Sequence, residues 1–415
     1  MKRQKRKVLL VFHTAYTFQL IKDLGLEIFV TARNSAEVFD LVITVNPLAD
    51  LQTYKYHEIP RHSPRKYILD DKNIIIEGYS GRFLVLDKFP KINFLVAQLS
   101  LVLYLVRKGY LRNVKLVRGE DPRFNGIYAF VFSCILQVPL IIGLWGNPGR
   151  LRKLNKSPVM PRMFKSMRHE ENLEKFVLKH ADLVLAQNKE NISYALEANI
   201  HIERTAITPL GIGIDKFHFV PPDLRPSFLM ELKEMGVTEK LIFVCISRLE
   251  SIKMVDHAIK ACALVAKSGL KFNLIIVGEG REKDNLQDLA VELGLKDVVI
   301  FTGNKSQAWI ASLMPNVFLN IAPLCGRSLL EASLSGCPAV AYDVDWHSDI
   351  VINNRTGFLV ENLNYFELAN SIEQFVNAGE ARRSEMKRNM YALALDQASP
   401  EKQVEAQRSI YGKFL

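Results

Sequence analysis

Two cations, Arg248 and Lys253, lie five residues apart just after an apolar run at 241–246 that is typical of a β-strand. In a parallel α/β sheet, side chains that follow a strand lie at the edge where ligands bind. A planar guanidinium and a compact ammonium group together suit the two phosphates of a diphosphate. The alternative is a pair of solvated surface cations, because long charged side chains are mostly exposed.

A second candidate follows the next predicted strand, 272–277, where the chain reads Gly278-Glu279-Gly280. Glycine lacks a Cβ atom, so its backbone can approach a ligand closely. A tight turn between a strand and a helix would need the same glycines. The Gly-x-Gly pattern alone does not separate these two interpretations.

A third candidate begins at Gly326, just before a helix predicted over 328–335. The free amides and the positive dipole end of a helix N-terminus form an anion-binding site. Glu331, one turn into the helix, has the chemistry to accept hydrogen bonds from ribose hydroxyls. Ser328 and Glu331 also have the spacing of a capping box, which would make Glu331 structural.

The order and spacing of these segments resemble glycosyltransferase family 4, the retaining nucleotide-sugar transferases. The resemblance covers about a third of the chain firmly, and segment 210–217 also resembles the end of that family's first domain. The matching segments are SRLESIK at 247–253, IIVGEG at 275–280, DVVIFTG at 297–303, GRSLLEA at 326–332, GCPAVAYD at 336–343 and TGFLV at 356–360.

The resemblance implies an α/β fold of the GT-B class, with two facing Rossmann-like domains and an interdomain cleft. It assigns the donor diphosphate to Arg248 and Lys253 and the ribose to Glu331, the three residues expected to carry catalysis. It also implies that no metal ion and no cofactor take part. The donor-binding residues implied in this way are Gly278, Glu279, Gly280, Thr302, Gly303, Leu324, Cys325, Gly326, Arg327, Ser328 and Leu329.

One departure from the family pattern concerns its Glu-x7-Glu pair, whose first Glu contacts the donor sugar. Counting back from Glu331 places Pro323 at that position, and Leu324-Cys325 replaces the usual Gly-aromatic pair. The sugar must then be positioned by other groups, such as the backbone near 324–326 or residues of the first domain. The departure also leaves open a weakly active or inactive protein.

The first half of the chain is expected to bind the acceptor, although the family's Gly-Gly turn after the first strand is replaced by His13-Thr14-Ala15-Tyr16. We predict acceptor contacts from His13, which ends the first predicted strand, and from Trp145 and Asn147, which follow the predicted strand 140–144. The alternatives are a tryptophan that covers the core and an asparagine in a Gly/Pro turn.

Apolar strands alternate with helical segments in both halves of the chain, which favours parallel α/β layers. A run rich in proline at 219–226 indicates a boundary between domains. We therefore predict an acceptor domain at 1–217, a donor domain at 218–380 and a helical segment at 381–415 that packs back towards the first domain. The predicted strands of the first half are 7–13, 27–31, 41–45, 73–77, 114–118, 140–144, 182–186 and 206–209.

The composition is that of an ordinary globular protein, with 415 residues, 48% hydrophobic and 24% charged, which excludes disordered and collagen-like classes. The formal net charge of +10 predicts anionic partners. Nucleic acid is not expected, because no recognition module is present. Five widely spaced cysteines without a C-x-x-C pair favour a reducing compartment and buried thiols, hence a cytoplasmic location.

Two stretches of the first half suggest a peripheral contact with an anionic membrane. Residues 150–179 carry a net charge of +6, which fits a solvated surface, an anionic lipid surface or a lipid-diphosphate acceptor. The apolar run 92–106 lies between Lys91 and Arg107-Lys108. We predict that this run is a buried element of the α/β domain, and the alternative is that it contacts a membrane surface.

These observations predict a retaining transfer of a sugar from a nucleotide-sugar donor to a hydroxyl of a glycan or lipid-linked acceptor. The pathway expected is the synthesis of a cell-surface polysaccharide or glycoconjugate. Two alternatives remain: a nucleotide-sugar 2-epimerase, which would need no acceptor, and a catalytically weak scaffold that binds nucleotide.

Overall fold

The structure is a computed structural model that describes residues 6–13, 17–23, 27–31, 33, 36–50, 63–161, 163–208 and 225–415. The chain divides into two compact units, Met1–Ile212 with Pro400–Leu415, and Gly213–Ser399. The predicted boundary at 217–218 lies outside the described residues. The units are called unit 1 and unit 2 below, and each is described by itself.

The described strands of unit 1 form one sheet in the order β3-β4-β2-β1-β5-β6-β7-β8, in which β3 is antiparallel and the others are parallel. The chain turns from one side of the sheet to the other between β1 and β5, which makes this pair the topological switch point. The strands are β1 (Val8–Phe12), β2 (Leu41–Asn46), β3 (Arg65–Ile68), β4 (Asn73–Glu77), β5 (Val114–Gly119), β6 (Leu140–Leu144), β7 (Leu183–Ala186) and β8 (Thr205–Ile207).

Helices follow β1, β4, β5, β6 and β7, and their apolar faces pack on a sheet whose inner strands are buried on both sides. Strands that are buried on both faces need apolar side chains at nearly every position, and β1 and β6 accordingly consist almost entirely of apolar residues. The helices are α1 (Phe18–Asp23), α2 (Glu27–Thr31), α3 (Pro90–Arg107), α4 (Phe124–Leu136), α5 (Pro148–Asn155), α6 (Met167–His180) and α7 (Lys189–Glu197).

The strand predicted at 27–31 is wrong, because these residues form α2. Both edges of β1 are already occupied by β2 and β5, and Val30 packs over the face of the sheet with Ile21 and Ile75. An apolar run this short does not distinguish helix from strand by periodicity. The prediction also missed β3, an exposed edge strand of mostly polar and charged residues.

Unit 2 contains a parallel sheet in the order β11-β10-β9-β12-β13-β14, with its switch point between β9 and β12. The strands are β9 (Ile242–Ile246), β10 (Asn273–Val277), β11 (Val299–Gly303), β12 (Leu319–Ala322), β13 (Ala339–Tyr342) and β14 (Gly357–Val360). The helices are α8 (Pro226–Glu234), α9 (Val255–Lys267), α10 (Lys283–Glu292), α11 (Gln307–Leu313), α12 (Arg327–Leu334), α13 (Tyr365–Asn377) and α14 (Glu380–Gln397).

The last helix, α15 (Pro400–Gly412), belongs to unit 1. Tyr411 is buried there against Phe39, with ring centroids 5.2 Å apart. Its hydroxyl accepts a hydrogen bond from Arg118 at 2.7 Å and donates one to the backbone carbonyl of Arg33 at 3.0 Å. The end of the chain therefore helps to hold two arginines of unit 1.

The prediction that the run 92–106 is buried is wrong for one side of α3. Leu101 and Leu105 are fully buried, but Leu95 and Leu99 are 66% and 59% exposed. Among the described residues, α3 is the one helix long and apolar enough to cross a membrane. The prediction of buried thiols holds for four cysteines and fails for Cys134, which is exposed on α4.

Candidate functional site

Arg248 and Lys253 follow β9, at the switch point of the unit 2 sheet. Arg248 is exposed, and no ion-pair partner for its side chain is found in the described part of the chain. Lys253 ends a short 3-10 turn, Ser251–Lys253, and is half-buried. Burial raises the pKa of the Cys325 thiol to about 11, and nearby Lys253 opposes that rise, so the ammonium group lies close to the loop before α12.

The glycines after β10 are needed for a close approach within the protein. A Cβ atom on Gly278 would lie 1.9 Å from the carbonyl oxygen of Ser247, and one on Gly280 would lie 2.1 Å from that of Leu249. The amide of Leu249 donates to the carbonyl of Glu279 at 3.0 Å. The turn at 278–280 therefore packs directly against the segment that carries Arg248 and fixes its backbone.

The start of α12 is tied to the end of β9 by two side chains. The hydroxyl of Ser328 donates to the carbonyl oxygen of Ile246 at 2.7 Å, and the thiol of Cys325 donates to the same oxygen at 3.6 Å. Gly326 precedes the helix and is exposed, while Leu324, Cys325 and Leu329 are buried. These contacts place the amide end of α12 beside the segment that carries Arg248 and Lys253.

Glu331 is not part of a capping box, because Ser328 bonds to Ile246 and no side chain caps α12. The Glu331 carboxylate instead lies 2.9 Å from Nε of Arg327, one turn earlier on the same helix. Glu331 is 6% exposed, and burial raises the pKa of its carboxyl group while Arg327 opposes the rise. The structural interpretation as a capping residue is therefore wrong.

The sequence after the predicted strand 339–342 is typical of an ordinary polar turn, but the structure places a buried positioning residue there, His347. Its ring is fully buried and lies between two backbone carbonyls, with Nδ1 2.9 Å from that of Tyr342 and Nε2 3.1 Å from that of Cys325. It thereby connects the end of β13 to the loop before α12. A histidine four to five residues after a predicted strand end was the available signal, but its burial was not visible in the sequence.

Of the remaining donor-site candidates, Thr302 and Gly303 end β11 and Glu279 follows β10. The amide of Gly278 donates to the carbonyl of Gly303 at 2.9 Å, which joins the two strand ends. The hydroxyl of Thr302 donates to the carbonyl of Gly303 at 3.0 Å. Glu279 forms an ion pair with Lys283 at 2.8 Å. The predicted donor residues thus lie along the carboxyl edge of four neighbouring strands of unit 2.

A second cluster lies at the switch point of unit 1, where His13 follows β1 and Glu120 follows β5. Trp145, after β6, donates its indole N–H to the Glu120 carboxylate. Arg33 and Arg118 pair with the same carboxylate at 2.9 and 3.1 Å. The structure thus brings His13 and Trp145 together around Glu120, whose central position the sequence analysis had not assigned.

The charges of this cluster shift the pKa values of two of its members. Burial opposes ionisation of Glu120, but Arg118 and Arg33 outweigh it and lower the pKa of the carboxyl group to about 2. Burial, together with Arg33, lowers the pKa of His13 to about 3. At neutral pH the cluster therefore holds one carboxylate, two guanidinium groups and a neutral imidazole.

This arrangement predicts that acid destabilises unit 1. His13 has a lower pKa in the folded state than its ordinary 6.5, so its contribution to stability is complete above about pH 6.5 and is lost as the pH falls towards 3. Between pH 6.5 and 5 the unfolding free energy should therefore fall less steeply with pH in His13→Gln than in wild type. The two slopes should differ by at most about 1.4 kcal/mol per pH unit. Urea titrations of wild type, His13→Gln and a control at the exposed His201, His201→Gln, test this. Equal slopes for wild type and His13→Gln would contradict it.

Asn147 does not join this cluster. It caps α5, accepting a hydrogen bond from the amide of Arg150 at 3.0 Å, and lines a cavity of about 650 Å³. Four cations and two carboxylates line this cavity, and its exposed cations are Lys153 and Lys156. Arg152 is paired with Glu170 and Glu174, whose charges the net +6 at 150–179 already includes. Arg150 is paired at 3.0 Å with Glu190, which lies outside that range, so part of the +6 charge is compensated inside unit 1.

No group of three or more His, Cys, Asp or Glu side chains suited to a metal ion is found in the described ranges. The unit 2 sheet edge carries Arg248, Lys253 and the N-terminus of α12, and its carboxylates Glu279 and Glu331 are each paired with a cation. Cations and a helix N-terminus can neutralise an anion directly.

Comparison with known proteins gives the family context of unit 2. Residues 232–392 match the model of a family described as glycosyl transferases group 1. The alpha-D-kanosaminyltransferase of Streptomyces kanamyceticus is 24% identical over 264 residues, which are 61% of this chain and 66% of that protein. A poly(ribitol-phosphate) alpha-N-acetylglucosaminyltransferase of Staphylococcus aureus is 32% identical over 34% of this chain and 29% of its own length. The match therefore spans less than two thirds of either relative.

Solved structures resemble the whole chain. HepE of Anabaena, in complex with UDP, has a TM-score of 0.70 at 19% identity, with 98% of this chain and 100% of that chain covered. A sucrose-phosphate synthase of Thermosynechococcus elongatus has a TM-score of 0.72 at 16% identity, with 98% and 99% covered. At such identities the likeness establishes the fold, and the predicted α/β, GT-B fold class is confirmed.

Proposed function

We propose that this chain, whose residues 232–392 match the model of the group 1 glycosyl transferases, transfers a sugar from a nucleotide-sugar donor to a hydroxyl group of an acceptor. The observation that carries the proposal is the sheet edge of unit 2. There Arg248, Lys253 and the amide end of α12 lie next to one another around the switch point, where open α/β sheets bind their ligands.

The chemistry of these groups fits the leaving diphosphate of the donor. When the bond between sugar and phosphate breaks, negative charge grows on the phosphate oxygens. Arg248, Lys253 and the amides from Gly326 to Leu329 provide positive charge and N–H donors that are already held in place by Gly280 and Ser328. Preorganised donors of this kind stabilise the transition state without rearranging. We propose that transfer occurs with retention of the anomeric configuration and needs neither a metal ion nor a cofactor.

For the acceptor we propose a glycan or a lipid-linked molecule that carries phosphate. The support is the basic cavity beside α5, where Lys153 and Lys156 are exposed and Asn147 offers an amide. Two relatives have names that specify poly(ribitol-phosphate) and poly(glycerol-phosphate) as acceptors. We accordingly propose a role in the synthesis of a cell-surface polysaccharide or glycoconjugate, at the cytoplasmic face of a membrane.

A second candidate function is a scaffold that binds nucleotide without turnover. It is favoured by Pro323, which stands where the family has the first Glu of its Glu-x7-Glu pair. A Glu carboxylate accepts hydrogen bonds from sugar hydroxyls, whereas the proline side chain has no oxygen that could accept them. In this case the sheet edge of unit 2 would keep its affinity for a nucleoside diphosphate but the donor sugar would not be transferred.

A panel of nucleotide sugars separates the two functions. Thermal stabilisation of the protein by each donor identifies the base and sugar, and UDP-sugars come first because HepE was solved with UDP. Release of nucleoside diphosphate is then measured with acceptors that carry phosphate and with matched neutral ones. Release that needs a phosphate-bearing acceptor supports the proposal, whereas stabilisation by nucleotide without any release supports the scaffold.

The proposed contact between Glu331 and the ribose gives a specific prediction. Glu331→Gln should weaken binding of a ribonucleoside diphosphate about 10- to 100-fold, because a hydrogen bond to a charged group contributes about 1.5–3 kcal/mol. Binding of the 2′,3′-dideoxy analogue, which lacks both hydroxyls, should change far less. Calorimetric titration of both nucleotides into wild type, Glu331→Gln and the exposed control Glu292→Gln measures this. Equal losses for both nucleotides would contradict the ribose contact.

A further inference from the structure

Helix α3 presents a continuous apolar stripe to solvent. Ile92, Leu95, Leu99, Leu103 and Val106 are each 42–66% exposed. Their spacing of three or four residues places them within one narrow face of the helix. Isolated exposed apolar residues are common, but a contiguous patch of this length indicates a binding surface.

The segment before α3 extends the same apolar surface. Phe83, Leu84, Val85 and Phe89 are exposed, with Leu84 and Val85 at 74% and 82%. Asn93 holds this segment against the helix, since its side-chain oxygen accepts from the amide of Phe83 at 3.0 Å and its nitrogen donates to the carbonyl of Phe83 at 2.8 Å. These nine apolar residues, four before the helix and five on it, are called the α3 surface below.

Cations surround the α3 surface. Residues 82–115 contain seven Lys or Arg and one carboxylate, Asp87, which accepts a hydrogen bond from Asn93. Lys88 and Lys91 lie at the start of the helix, and Arg107 and Lys108 lie at its end, all of them exposed. An apolar stripe with cations at both ends has the chemistry of a helix that lies in the interface of an anionic bilayer.

The opposite face of α3 argues against a helix that crosses a membrane. Leu101 and Leu105 are fully buried in the core of unit 1. Gln98 donates to the carbonyl of Tyr79 at 3.0 Å and accepts from the hydroxyl of Tyr128 at 2.6 Å. A spanning orientation would break these contacts and expose two amide side chains to hydrocarbon, which is costly.

We propose that the α3 surface docks unit 1 on the surface of an anionic phospholipid bilayer, with its apolar residues in the headgroup region and the flanking cations on anionic lipids. This proposal rests on the membrane location proposed above and names the surface of unit 1 that would contact the membrane. It does not depend on glycosyl transfer, because vesicle binding is measured without donor or acceptor.

The test is co-sedimentation of the full chain with vesicles of phosphatidylcholine alone or with about a third of phosphatidylglycerol. Wild type should bind the anionic vesicles, and Leu95→Glu/Leu99→Glu should reduce the partition coefficient by about tenfold or more. The matched control, Met230→Glu/Val291→Glu, changes two equally exposed apolar residues of unit 2 and should bind like wild type. Lys88→Glu/Lys91→Glu should remove the preference for anionic vesicles.

The same variants identify the results that would overturn the proposal. The proposal is overturned if wild type fails to bind anionic vesicles. It is also overturned if the Leu95→Glu/Leu99→Glu protein binds them as wild type does. Light scattering detects the other possible occupant, a second copy of the chain. A wild-type dimer that becomes a monomer in Leu95→Glu/Leu99→Glu, without vesicle binding, would also overturn it. Melting temperatures equal to wild type confirm that each variant is folded.

Discussion

Arg248→Ala and Lys253→Ala should each reduce transfer from the nucleotide-sugar donor by about 10²–10³-fold while the fold stays intact. Each substitution removes a cation where charge grows on the leaving diphosphate, and removal of one preorganised donor costs about 2.7–4 kcal/mol of transition-state stabilisation. The fold should tolerate both changes, because Arg248 is exposed and Lys253 is half-buried. The measurement is kcat/KM for the donor together with the melting temperature.

Two further variants make this result specific. Arg248→Lys keeps the charge but loses the planar guanidinium fork, so it should recover only part of the activity. Lys267→Ala removes an exposed cation at the far end of α9, at the opposite edge of the sheet, and should leave transfer unchanged. Near-normal transfer by Arg248→Ala and Lys253→Ala would refute the assignment of the donor diphosphate.

Gly280→Ala should disrupt the same site without touching a ligand. Its Cβ atom would lie 2.1 Å from the carbonyl oxygen of Leu249, so the backbone at 247–249 must shift. Crowding of this kind costs about 1–3 kcal/mol of unfolding free energy. Because Arg248 lies on the displaced segment, affinity for the nucleoside diphosphate should fall as well.

The control is Gly379→Ala, since no atom lies within 4 Å of the added Cβ and its φ of −56° suits any residue. Denaturant titration and nucleotide binding are measured for both variants. Loss of stability and of nucleotide affinity in Gly280→Ala alone is the expected result. A Gly280→Ala protein with wild-type nucleotide affinity would show that the turn does not position Arg248.

The sequence predicted unit 2 well because its strands and helices alternate with clear apolar periods. Since the ends of parallel strands meet at one sheet edge, Arg248 and Gly326 were correctly expected at that edge. The sequence could not show that Gly278 and Gly280 serve contacts within the protein. A glycine is needed whether a ligand or a neighbouring backbone approaches closely, so the residue type alone does not tell which of the two is present.

Other features depend on which partner a side chain meets, and a local pattern does not contain that information. His347 looked like part of a polar turn, yet it is fully buried between two backbone carbonyls. Arg33 was not singled out, because its ion pair with Glu120 joins residues 87 positions apart. The sequence favoured a buried α3 and left an exposed side only as the alternative, because an apolar helix that packs on one face has the same composition as a fully buried helix.

Glycosyl transfer by this protein is tested most directly by identifying the products of its reaction. The purified protein is incubated with its stabilising nucleotide sugar, with and without a phosphate-bearing acceptor, and all products are identified by NMR. We predict that nucleoside diphosphate and a glycoside that retains the donor's anomeric configuration form only when acceptor is present. An epimerised nucleotide sugar formed from donor alone, or no turnover with any acceptor, would contradict the account.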